Sequence, residues 1–352
     1  MRETKAMTTA LILAVGALCG MTPAYAQEHK AYALIVSGEG DEPNFSENYK
    51  DWVTRLYQVL TAGCGFPANH VSVLTEKKDL VASVQAEVST KENVLKALKM
   101  LAEKVQPGDQ CLIFLVGHGT AQNKTAKLCL PGPDLSSDDV ADALNRFKAR
   151  EVALINTACG SDTFLERCSL PGRTLITATN NPNEGNETYF MEFLLKAFEN
   201  KAGDANKDGA VTLLEAFNQA AVECPKWYLR QYYVDEANAW RVDGKESRKL
   251  WEKFYGKIKE KALAPSEQPD TGDAEPQLGE WGTHWEGRRM PTEHAQLDDN
   301  GDRLGTAVFA NNEFAPLKGA KEEEDGGHAR QINPGKPRGD KKPPSAPIEP
   351  KP

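Results

Sequence analysis

Few features that would settle a function outright are present in this sequence. No Cys-x-x-Cys pair occurs, which leaves a structural zinc site or a thioredoxin-type motif without ligands. There is no His-Glu-x-x-His helix, no Gly-x-Ser-x-Gly elbow and no Walker A loop, and these absences exclude a zinc peptidase, an α/β serine hydrolase and a P-loop nucleotidase. Gly38-Glu39-Gly40, which follows the first apolar run, is too short for a dinucleotide fingerprint. Positive charge is also scarce. The 352 residues carry 42 Lys and Arg against 51 Asp and Glu, a net −9, so no dense basic face is offered to a nucleic acid. Only one long apolar run exists, at the very start, and a multi-span membrane protein is excluded.

That run belongs to residues 1–26, which read as a secretory signal peptide. Arg2 and Lys5 are followed by an apolar stretch from Ala10 to Gly20 and by the small-x-small cleavage site Ala24-Tyr25-Ala26. Gly16-Ala17-Leu18 before Cys19 is a poor lipidation box. Export to a secreted or periplasmic location is the expectation, with no stable membrane span once the signal is removed. Cys64, Cys111, Cys129, Cys159, Cys168 and Cys224 then remain, in a compartment that permits disulfides.

From residue 27 onward apolar runs alternate with helical stripes. Tyr32–Ser37, Val71–Thr75, Cys111–Val116, Val152–Ala158 and Arg173–Thr179 read as strands. Between them, residues 46–62 carry Trp52, Leu56, Val59 and Leu60 on one stripe, and 137–149 follow a Pro-Gly-Pro break. Ser89 with Glu92 has the spacing of a capping box, opening a helix with Val94, Leu98, Leu101 and Val105 on one face. This alternation predicts an α/β fold, a mainly parallel sheet with helices on both faces. The domain is expected over 27–225. Residues 226–317, with Trp227, Trp240, Trp251 and Tyr255, are expected to add a helical extension, and 318–352, rich in Lys, Glu, Gly and Pro, a disordered tail.

Chemistry in such sheets sits at the carboxyl ends of strands. The third strand runs into Gly117-His118-Gly119 and the fourth into Ala158-Cys159-Gly160, so both side chains would project onto one rim. A cysteine attacking a carbonyl needs a thiolate or a base within reach, and a neighbouring imidazole provides it. Gly119 would let a backbone N–H approach a substrate oxyanion beside the N–H of Cys159. Pairing of Cys159 with Cys168 is an alternative open to the same residues. His29, His70, His284, His294 and His328 lie in polar surroundings and read as surface residues.

An apolar strand ending in His-Gly, followed by one ending in Ala-Cys, resembles the caspase-like clan of cysteine peptidases. The spacing from His118 to Cys159 is most similar to its legumain-like (C13) branch, over roughly residues 30–220. The resemblance implies a His118–Cys159 dyad, a thioester acyl-enzyme and a peptide or protein substrate. Asn44-Phe45-Ser46-Glu47 stands where legumains carry an Arg-His pair, and Thr157 where they carry a glutamate, so asparagine specificity is not implied. A catalytically silent binding scaffold of the cell envelope and a peptide ligase on the same acyl-enzyme are the other functions open to this chain.

One further motif is embedded in the domain. From Asp204 to Glu215 the chain fits the EF-hand calcium loop position by position. Asp204, Asn206, Asp208, Thr212 and Glu215 supply side-chain oxygens, Ala210 a carbonyl, and Gly209 the sharp turn. A structural calcium ion is the expected cofactor. Asp298-Asp299-Asn300-Gly301-Asp302 is a second acidic loop, which departs from the pattern with Arg303 at the glycine position and Phe309 at the closing one.

Overall fold

The central strands read as unbroken apolar runs because both of their faces are covered. The computed structural model describes residues 30–40, 43–82, 84–122, 125–148, 151–180, 184, 187–199, 201–224, 227, 293–308, 314–316 and 325–335, all within one unit, His29–Gly339. The first half contains β1 (Ala31–Ser37), α1 (Pro43–Gln58), β2 (Val71–Thr75), β3 (Glu87–Val88), α2 (Lys91–Lys104) and β4 (Gln110–Val116). Next come β5 (Gly119–Gln122), β6 (Thr125–Leu128), β7 (Leu135–Ser136), α3 (Ser137–Leu144), β8 (Glu151–Asn156), α4 (Thr163–Cys168) and β9 (Arg173–Thr177). The remainder holds α5 (Phe190–Glu199), a helix α6 over 213–224, and the strands β10 (Gln296–Asp298), β11 (Thr306–Val308) and β12 (Phe314–Pro316).

Among the described residues the main sheet runs β12-β11-β10-β9-β8-β4-β1-β2-β3, and a small antiparallel sheet β5-β6-β7 stands apart from it. From β3 to β9 every pairing is parallel, while β10, β11 and β12 extend the β9 edge antiparallel. Side chains alternate between two layers, as a two-residue period requires. Ala33, Ile35, Leu112, Phe114, Ala153 and Ile155 face α1, α5 and α6 through Trp52, Leu56, Leu194 and Phe217. Leu34, Val36, Cys111, Ile113, Leu115 and Leu154 face α2, α3 and α4 through Val94, Leu98, Val140 and Phe164.

The α/β expectation is met, and several details differ from it. The N-cap of α2 is Thr90, whose side chain accepts from Asn93 N; Ser89 is already committed to the sheet, donating its N–H to Thr75 O at 2.8 Å. The true capping box lies at α3, between Ser136 and Asp139, and that helix stops at Leu144. Beyond α1 the chain continues as a π-helical turn, Val59–Gly63. Strands β8 and β9 end at Asn156 and Thr177, two residues short of the expected ends in each case.

The expected helical extension over 226–317 is corrected in its last part: β10 pairs with β9, Leu297 opposite Ile176, and completes the main sheet. Part of the expected disordered tail is also packed. Ala329 and Ile332 are buried in the α6 layer, and their carbonyls accept from Leu214 N and Leu213 N, the first free donors of α6. Residues 1–26, Trp240, Trp251, Tyr255 and all of 336–352 lie outside the described residues, so the signal-peptide reading falls there too.

Ile332 is 1% exposed and closes the layer over α6. Replacing Ile332 with Ala is therefore expected to lower the unfolding free energy by about 2–4 kcal/mol in urea titration. A loss near zero would show that 325–335 contributes nothing to the fold.

Candidate active site

Strands β4 and β8 are parallel neighbours, and Leu115 lies opposite Asn156. His118 and Cys159 each follow three positions beyond that pair, so equal lengths of chain bring them to one rim. The result is a Cys159 Sγ to His118 Nδ1 distance of 3.3 Å. Backbone ties hold the two strand ends in place. Thr157 N donates to Leu115 O at 2.9 Å, Ala158 N to the Asn156 side chain at 3.1 Å, and Gly38 N to Val116 O at 2.7 Å.

Gly119 is the closest approach. Its N–H donates to Cys159 Sγ at 3.2 Å, and its carbonyl lies 3.0 Å from the same sulfur, within reach of the thiol proton. A Cβ at this position would overlap the Cys159 carbonyl oxygen, so only glycine allows the two loops to touch. The Gly119 N–H, expected to lie beside a substrate oxyanion, is directed here at the Cys159 sulfur. Among the described residues the Cys159 N–H has no acceptor. Cys159 is 2% exposed, whereas the His118 side chain is 34% exposed and forms the open side of the pair.

A third group, which sequence reasoning did not single out, joins them. Glu187, between β9 and α5, places Oε2 3.4 Å from His118 Nδ1, and its Oε1 accepts the Tyr49 hydroxyl at 2.7 Å. The hydrogen bond from Cys159 and then that from Glu187 raise His118 to about 10, against burial, which lowers it. Its neighbours in this loop are anchored. Thr188 Oγ1 donates to Thr157 O, and Glu293 accepts from Tyr189 N and, at 2.8 Å, from Phe190 N. Glu184 accepts Gly160 N on its carbonyl at 3.2 Å and pairs with His294 through its side chain.

The other cysteines and histidines sort differently from the sequence expectations. Cys159 and Cys168 are both free, and Cys168 Sγ points at Ser137 O, 3.7 Å away, so the alternative pairing is not formed. Burial pushes the thiols of Cys64 up to about 11 and Cys168 to about 12, and raises Cys111 and Cys224 as well. His294 is a partner of Glu184, and His70 stacks on Tyr32 at 4.4 Å, so neither is a bare surface residue. His29 and His284 lie outside the described residues.

The expected calcium residues come together as a loop. Asp204 accepts from Asp208 N and Gly209 N at 3.0 and 2.9 Å, Asn206 from Asp208 N at 2.8 Å, and Asp208 from Ala210 N at 2.9 Å. Glu215 reaches back to Asn206 N at 3.3 Å and to the Thr212 hydroxyl at 2.8 Å. The 298–306 loop repeats this scheme. Asn300 accepts from Asp302 N, Asp302 from Leu304 N, both at 2.8 Å, and Asp298 from Arg303 N at 3.1 Å. Arg303 adopts a positive φ of 69° where Gly209 has 86°. Asp325 makes the two contacts that Glu215 makes, to Asn300 N at 3.3 Å and the Thr306 hydroxyl at 2.6 Å. In both loops the carboxylates serve backbone amides. Among the described residues no group of three or more His, Cys, Asp or Glu is gathered for a metal.

Residues 45–134 match the family model of the metacaspase, peptidase C14 domain. The matched segment runs from α1 to the residue before β7, includes His118 and Gly119, and ends before Cys159. With the parallel, helix-covered sheet described above, the fold is caspase-like α/β. The matching model is of the C14 family, whereas the C13 affinity rested on the His-to-Cys spacing. Among solved structures, the crystal structure of a Geobacter sulfurreducens protein is similar at 16% identity with a TM-score of 0.35, over 49% of this chain and 83% of that one. No curated protein matches the sequence.

Proposed function

We propose that the chain is an exported cysteine endopeptidase that works through a His118–Cys159 dyad. The observation that carries this reading is the 3.3 Å approach of Cys159 Sγ to His118 Nδ1 at the ends of adjacent parallel strands. An imidazolium beside a sulfur is the environment in which a thiolate nucleophile is held. The thiolate attacks a peptide carbonyl carbon, and an S–C bond forms. The oxyanion is met by the N–H of Cys159 and by that of Gly119 once the sulfur has moved onto the substrate. As the C–N bond breaks, His118 passes its Nδ1 proton to the leaving nitrogen, leaving a thioester. Water then gives a proton to His118 and its oxygen to the acyl carbon, and the C–S bond breaks to restore the thiolate.

A calcium ion at the 204–215 loop is the second part of this reading. The donor set is all oxygen, as a hard cation requires, and Glu215 already closes the loop onto its third position. Asp204, Asn206, Asp208, the Ala210 carbonyl, Thr212 and Glu215 would hold the ion, which when bound supplies rigidity rather than chemistry. The loop connects α5 to α6, and α5 follows directly on the segment that carries Glu187. Residues 1–26 act as the signal that delivers the chain to the periplasm or the exterior. Among the described residues no helix is long and apolar enough to cross a membrane.

The dyad is tested with acyloxymethyl-ketone peptides bearing different P1 residues, applied with calcium to the wild type, Cys159→Ala and His118→Ala. Labelling at Cys159 for one or two P1 types, absent from the first variant and strongly slowed in the second, is the expected outcome. No labelling of the wild type under any reducing or calcium condition would sink the peptidase reading and leave the binding scaffold. Calcium is read separately by thermal melting. At a concentration 100 times Kd the ion is expected to add about 2.7 kcal/mol of stability, and Glu215→Gln to abolish most of that gain. Equal melting with calcium and with chelator would remove the ion from the account.

A further inference from the structure

We infer that Glu187 is a positioning residue for His118, sharing the Nδ1 proton with the Cys159 sulfur so that the ring stays charged and in place through the cycle. This rests on the peptidase reading of the dyad. Two acceptors face one nitrogen, the sulfur at 3.3 Å and Glu187 Oε2 at 3.4 Å. A single N–H cannot serve both fully, so the carboxylate is a second acceptor held ready beside the first. The Glu187 side chain is only 9% exposed, and among the described residues His118 is its one cationic partner. A carboxylate this deeply placed would be strongly penalised without that charge.

The other carboxylate oxygen is fixed by a donor that keeps its proton. Tyr49 is 1% exposed, and its hydroxyl donates to Oε1 at 2.7 Å. Burial, and after it the charge of Glu187, hold this phenol neutral well beyond its usual range. The backbone is tied on the far side of Glu187 by Thr188 to Thr157 O and by Glu293 to the first amides of α5. Position and orientation of the carboxylate are therefore set by α1, by the end of β8 and by the segment preceding β10. The groups that face this proton are Cys159 beyond β8 and Glu187 before α5, with Tyr49 on α1 behind the carboxylate; Cys129, after β6, acts on the Tyr49 hydroxyl.

The proton balance gives Glu187 its work. In the resting pair the Nδ1 proton lies between thiolate and carboxylate. When the S–C bond forms, the sulfur becomes a poor acceptor and the N–H keeps Glu187 as its partner, so the ring does not swing away. The proton then leaves with the amine. It is replaced from water during deacylation, when the carboxylate again faces a developing imidazolium. Glu187 itself neither gains nor loses a proton.

The test is a pH titration of the His118 ring by NMR in the full chain, beside the pH dependence of Cys159 labelling. Removing a neighbouring negative charge must lower the pH at which the imidazolium loses its proton. Glu187→Gln is expected to move that point down by at least about one unit, with the alkaline limb of labelling following it. Glu187→Asp keeps the charge and should recover most of the shift, and Tyr49→Phe should leave the limb in place while slowing the reaction. A rate loss in Glu187→Gln with both the ring titration and the limb unmoved would show a merely structural role and overturn the inference. So would a Tyr49→Phe shift as large as that of Glu187→Gln. If the ring titration moves but the wild type labels with no probe, the peptidase reading fails and the pairing of Glu187 with His118 stands.

Discussion

The site depends on a backbone register. Parallel pairing of β4 with β8 sets Leu115 opposite Asn156, and everything that brings His118 and Cys159 together follows from the equal chain lengths beyond that pair. A slip of the register by one residue would exchange the two faces of β8, sending Ile155 into the layer of α2 and α3 and separating sulfur from imidazole. The apolar layers on both sides make such a slip costly. Packing of Phe114 and Ile155 on one face and Ile113 and Leu154 on the other thus holds the distance between the Cys159 sulfur and the His118 ring.

Residues far away in the chain complete what the register begins. On either side of Glu187, Glu184 is held by His294 and Thr188 by Thr157, while Glu293 holds Tyr189 and the start of α5. Glu293 caps the start of α5 with both oxygens, which suits a carboxylate at a helix N-terminus. The residues just before β10 are therefore part of the machinery that orients the dyad, even though they lie more than a hundred positions from it. The 325–335 segment does the same for α6, giving its first amides their acceptors.

Much of the frame was legible in the sequence because the strands are buried on both faces and read as apolar runs. His118 and Cys159 were legible because each follows such a run directly and is flanked by glycine. The N-cap slip at α2 has a physical cause: Ser89 and Thr90 both precede a suitable partner by three positions, and the choice falls to Thr90 because the Ser89 amide is used by β2. Strands β10 to β12 carry three residues apiece among Asp, Asn and Gly, too few for a period to show. Glu187 and Asp325 left no local signal at all. One is a glutamate in a polar stretch of sequence and the other an acid in a charged stretch, and each takes its meaning from a partner brought close by the fold.

The most direct measurement sets the cysteines of one molecule against each other. Mild alkylation with iodoacetamide at pH 6, followed by peptide mapping, ranks them by thiolate content and access. Cys64 is the more accessible thiol, yet burial raises it to about 11, and among the described residues no cation acts on it to hold a thiolate. Cys159 is nearly enclosed but has the imidazolium of His118 and the Gly119 N–H on its sulfur. The expected result is that Cys159 reacts first, at least about tenfold faster than Cys64. Modification of Cys64 ahead of Cys159 would contradict a thiolate–imidazolium pair at these strand ends.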